Sequence, residues 1–69
     1  MLKGIKIGEK YYSIRILPDR AEAYEYINQN SNLEQAVEVS GNYFKTRTEC
    51  QGVCDRINTA IKKTKEIKE

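Results

Sequence analysis

The chain has no histidine and no tryptophan, one proline, one phenylalanine and two cysteines among its 69 residues. Without histidine, the side chain that most often serves as general base or zinc ligand is missing. Two cysteines cannot build the disulfide framework that staples small secreted domains, and unpatterned thiols fit a reducing cytoplasm. No apolar run approaches the roughly 20 residues that a membrane helix needs. Met1-Leu2-Lys3-Gly4-Ile5 leads into charge instead of an apolar core, so no secretory leader is expected. An excess of one charge is lacking too: twelve basic against ten acidic residues leave +2, too mild to argue for double-stranded nucleic acid. There is also no glycine-rich phosphate loop and no nucleophile beside an evident base. The expectation is a soluble, cytoplasmic, non-catalytic single domain over residues 1–69, with no cofactor, no metal and no membrane partner.

A chain this short buries only about 60% of its unfolded surface, so its own core is marginal. With disulfides and zinc both discounted, self-association is the expected supplement, and a homo-oligomer is expected.

What is present is an internal echo. Ile5-Lys6-Ile7-Gly8-Glu9-Lys10-Tyr11-Tyr12-Ser13-Ile14-Arg15 aligns without a gap on Val37-Glu38-Val39-Ser40-Gly41-Asn42-Tyr43-Phe44-Lys45-Thr46-Arg47, 32 residues further on. Apolar residues alternate before a glycine-containing turn, two aromatics follow, and an arginine comes three residues after the second. A two-residue turn at Gly8-Glu9 puts Ile5, Ile7, Tyr12, Ile14 and Ile16 on one face of a hairpin. The same register in the second copy turns Val37, Val39 and Phe44 inward. Pro18 then ends a strand. Asp19 and Glu22 offer a helix cap over Asp19–Asn30, where Ala23, Tyr24 and Ile27 form a narrow stripe. Thr46 and Glu49 form a second capping box, followed by Cys50, Val53, Cys54, Ile57, Ala60 and Ile61 as one continuous stripe. The pattern predicts an α+β two-layer sandwich of ββαββα order: a four-stranded antiparallel sheet with both helices on one face. Its units would be residues 1–32 and 33–61, with a charged helical tail at 62–69.

On that plan the open sheet face carries Tyr11, Arg15, Tyr43 and Lys45. Aromatic platforms beside cations suit bases and phosphates, and they equally suit protein contacts or a dimer seam. Tyr11, Arg15, Tyr43, Lys45 and Arg47 are therefore the candidate ligand-binding set. Tyr26, among Glu22 and Glu25, is a candidate partner contact, while Tyr24 belongs with the core. Cys50 and Cys54, four residues apart within an apolar stripe, read as small buried hydrophobes in preference to a metal half-site or redox pair.

The stretch Phe44-Lys45-Thr46-Arg47-Thr48-Glu49-Cys50-Gln51-Gly52-Val53-Cys54-Asp55-Arg56-Ile57 resembles the strand-to-helix junction of short bacterial YegP-like ββα repeats: an aromatic, a basic residue, a hydroxyl cap, another basic residue, and a helix with an early cysteine. This resemblance covers 14 positions and implies a ββα unit without any activity. In size and its Lys/Ile/Asn-rich usage the chain is also similar to small accessory proteins of phages, many of which inhibit host defence. That likeness implies an inhibitor in the host cytoplasm. The leading expectation is a homo-oligomer that sequesters an anionic nucleotide, and the alternative is a blocker that docks on a host defence protein. A purely structural oligomerisation module is a third.

Overall fold

The computed structural model describes residues 2–67, with side chains up to residue 64. Its order is ββαα: β1 (Lys10–Ile16), β2 (Ala21–Ile27), α1 (Asn32–Ser40) and α2 (Arg47–Ile67). The strands form one antiparallel hairpin, with Tyr11 opposite Tyr26, Ser13 opposite Tyr24 and Ile14 opposite Ala23. This overturns the ββαββα sandwich and its four-stranded sheet: the hairpin is two-stranded, and the helices follow it in succession. Residues 68 and 69 of the expected tail, and Met1, lie outside the described residues.

Each departure has a local cause. Residues 2–9 coil through two turns, at Gly4 (φ 74°) and Gly8 (φ 92°), in place of a strand. Leu2 and Ile5 drop from this coil into a core around Tyr11, with Tyr26, Val37 and Tyr43 packed against them. Asn28 is the clasp. Its side-chain amide donates to the Ile5 carbonyl at 3.0 Å, and its own carbonyl accepts from the Gly8 amide at 2.8 Å.

The expected first helix is instead β2. Pro18 and Asp19 sit in the turn between the strands, closed by the Leu17 amide donating to the Arg20 carbonyl at 2.7 Å. Beyond the turn, Ala21 and Ala23 alternate with Glu22, Tyr24 and Tyr26, and two tyrosines and an isoleucine in seven residues favour the strand. The second expected hairpin is mostly α1. Ser31 begins it, the Glu34 carboxylate reaches back to the Ser31 amide at 2.9 Å, and Gly41 (φ 72°) ends it in the left-handed conformation that suits glycine. Within that helix Val37 packs inward while Val39 is 90% exposed, so their apparent strand alternation was accidental.

α2 starts where its capping box predicts. The Thr46 hydroxyl accepts the Glu49 amide at 3.2 Å and donates to the Glu49 carboxylate at 3.1 Å. Its stripe covers the other face of the hairpin: Cys50, Cys54 and Ala21 are buried, with Tyr12, Ile14, Ala23, Phe44 and Ile57 packed around them. Twenty-one residues make a rod about 31 Å long. It outruns the seven-residue strands, which span about 23 Å. Lys62, Lys63 and Thr64 are accordingly exposed.

The two copies of the echo do meet. Tyr12 and Phe44, equivalent in the alignment, exchange backbone hydrogen bonds of 2.9 and 2.7 Å as an isolated antiparallel bridge. Beside it, the Asn42 side-chain amide imitates a peptide group, accepting from the Ile14 amide and donating to the Ile14 carbonyl, both at 2.9 Å. The middle of β1's free edge, at Tyr12 and Ile14, is thereby closed.

Candidate interaction surface

The face bearing Tyr11, Ser13 and Arg15 on β1 and Glu22, Tyr24 and Tyr26 on β2 divides into a buried half and an open half. Tyr11 is fully buried, so it is a core residue and offers no ring to a ligand. Its hydroxyl donates to Glu34 Oε2 at 2.7 Å, while Glu34 Oε1 accepts from the Ser31 hydroxyl (2.6 Å), the Ser31 amide and the Gln29 amide. Those bonds, led by the Ser31 hydroxyl, hold the carboxyl at about 2, below its ordinary 4.5, despite the opposing effect of burial. Burial first, then the bond to Glu34 and the carboxylate's charge, push the Tyr11 phenol above its usual value. A buried carboxylate with this many donors is the anchor that turns the first tyrosine inward.

Tyr26, expected as an exposed contact, is half-buried and stacks on Tyr11 with ring centroids 5.5 Å apart. Tyr24, expected in the core, is 38% exposed instead. The exchange follows from the change of element: on a strand, Tyr24 and Tyr26 share one face, and only the end near Tyr11 is covered. Arg15 lies over the Tyr24 ring at 4.6 Å, and Tyr24 sits 6.3 Å from Tyr26. A row of three tyrosines therefore runs from the core to the surface and finishes under an exposed guanidinium.

Tyr43 is half-buried against the Leu2–Ile5–Tyr11 cluster, and its hydroxyl accepts from the Lys3 amide at 3.3 Å. Lys45 is exposed between the Phe44 bridge and α2. Arg47 belongs to the opposite face. It lies 5.1 Å over the Tyr12 ring and 3.6 Å from Glu25, which also takes Lys10 at 3.8 Å and the Tyr12 hydroxyl at 3.3 Å. The expected five-residue set is thus dispersed. Arg15 stands on one face, Lys45 and Arg47 stand near the start of α2, and the tyrosines among them are turned inward. A shallow depression of about 370 Å³ beside Arg47 is lined by Thr48, Gln51, Gly52 and Asp55.

Sequence reasoning missed Tyr24, Tyr12, Lys10 and Glu25 as surface partners. The alternation from Ala21 to Ile27 was the signal that would have found Tyr24. For the thiols the expectation holds: Cys50 and Cys54 are fully buried. Desolvation, then the neighbouring Cys54, pushes the Cys50 thiol up to about 11, which keeps it protonated and unreactive near neutrality. No helix among the described residues is long and apolar enough to cross a membrane.

No family model, curated protein or solved structure matches this chain.

Proposed function

We propose that the chain is a non-catalytic binding module that docks on a protein partner, in the manner of a small inhibitor. The observation that supports this most is the open half of the hairpin face, where Arg15 is laid over an exposed Tyr24 whose neighbour Tyr26 is anchored in the core. Tyrosine and arginine dominate protein hot spots, and a ring already held in place loses little conformational freedom on contact. The capture of an anionic nucleotide by stacking is less well supported, because Tyr11 is buried and Tyr43 half-buried. Lys45 and Arg47 beside the start of α2 are what remains of that second reading.

Arg15→Ala combined with Tyr24→Ala tests the docking reading. The double variant should keep the parent's circular dichroism, while the amount of any partner retained on the immobilised chain falls by about tenfold or more. Unchanged capture by the double variant would refute it. A melting temperature raised by nucleoside phosphates or cyclic dinucleotides, and lost in Lys45→Ala plus Arg47→Ala, would favour the nucleotide reading instead.

A further inference from the structure

The two outer edges of the hairpin are finished differently. On β1, Phe44 and Asn42 take the outward groups of Tyr12 and Ile14. On β2, the Leu17–Arg20 bond sets the phase of the ladder, so Glu22, Tyr24 and Tyr26 bond toward β1 while Ala21, Ala23, Glu25 and Ile27 point their backbone groups outward. Asn58 of α2 takes Ala21, accepting from its amide at 2.7 Å and donating to its carbonyl at 3.1 Å. The outward amides and carbonyls of Ala23, Glu25 and Ile27 have no partner among the described residues. Exposed edges are normally blunted by proline, lysine, a bulge or a covering segment. Ala-Glu-Ala-Tyr-Glu-Tyr-Ile contains neither proline nor lysine and pairs with β1 without a bulge.

We infer that this edge pairs antiparallel with β2 of a second copy of the chain, about a two-fold axis at Glu25. That register sets Ala23 opposite Ile27 of the second copy, Glu25 opposite its equivalent, and Ile27 opposite Ala23, each rung exchanging N–H···O bonds both ways. On one face Tyr24 then lies directly across from Tyr26 of the other copy, a favourable aromatic cross-strand pair. On the other face Ile27, 51% exposed in the single chain, gains an apolar neighbour. Facing carboxylates at the axis are the one unfavourable element, and each arrives already paired with Lys10 and Arg47. The next rung would use Ala21, where Asn58 has taken both groups, so the pairing ends where the open edge ends. An unrelated extended peptide could use the same backbone groups but would not have this self-matching of side chains. A two-stranded ribbon is marginal in isolation, and a second copy supplies further strands.

Cross-linking tests the register. Glu25→Cys places two thiol-bearing residues about 5.5 Å apart at Cα on the axis, within disulfide range, and the native thiols are fully buried. Under mild oxidation it should form covalent dimers about tenfold or more faster than Val39→Cys, at a position that is 90% exposed and remote from the edge. By light scattering, the parent should show twice the 8.0 kDa chain mass at high concentration. Ile27→Lys should raise the dimer dissociation constant about tenfold or more without changing the circular dichroism. A parent that stays at 8.0 kDa, equal cross-linking rates, or a dimer indifferent to Ile27→Lys would overturn the inference. None of these outcomes involves a docking partner, so failure here leaves the docking reading standing.

Discussion

The two faces of the hairpin are covered by opposite kinds of chemistry. Under α2 the contact is apolar: Ala21, Cys50 and Cys54 are buried with Ile14, Phe44 and Ile57 around them. Under α1 and the N-terminal coil, the cover is tied down by a buried carboxylate, Glu34, that gathers Tyr11, Ser31 and the Gln29 amide. Apolar packing is non-directional and tolerates small adjustments. A buried ion is costly unless every donor is in place, which fixes one geometry. The first face should respond to lost volume, and the second to lost charge.

The largest effect belongs where both kinds of contact meet. Tyr11→Ala removes the central ring of one cluster and one of the donors to Glu34, and should cost about 3–5 kcal/mol. In so small a domain that abolishes the cooperative transition in urea; a retained transition would show that the coil and α1 are not integral to the fold. Glu34→Gln comes next, with about 2 kcal/mol lost at neutral pH as hydrogen bonds to a charged group are weakened. Its pH signature is more specific. Because folding lowers the Glu34 carboxyl from 4.5 to about 2, its contribution is fully present above 4.5 and disappears as the pH falls toward 2. Urea midpoints of the parent should drop through that window, and those of Glu34→Gln should drop less. Cys54→Ala is the mildest, at about 1 kcal/mol, with an acid profile parallel to the parent's. If Cys54→Ala altered the acid profile and Glu34→Gln did not, the contrast between the faces would be wrong.

What the sequence made legible was local. The box Thr46–Glu49 and the stripe from Cys50 to Ile61 appear where pattern places them, whereas Gly8 and Gly41 do turn the chain but in a coil and at a helix end, not in hairpins. The exception is Ala60, which is exposed although it lies in the stripe. What it concealed was tertiary. The echo misled because a Gly turn preceded by alternating apolar residues describes a hairpin and a helix C-terminus equally well. Residues upstream decided between them, Ser31 and Glu34 in one copy and Gly4 in the other. Tyr11 reads as exposed in the sequence because its buried carboxylate partner is 23 residues away in the chain. Arg15 is exposed, as the alternation along its strand predicts, and its pairing with Tyr24 follows only once β2 is a strand.

Asn42 and Asn58 each lend a side-chain amide to a strand as if it were one more peptide unit. Only a group that both donates and accepts a hydrogen bond at this spacing fills that role, so the seam depends on each amide staying an amide. Hydrolysis of either amide to a carboxylate would set an oxygen against the carbonyl of Ile14 or Ala21, and the edge it closes would come unfastened without any change in the apolar core.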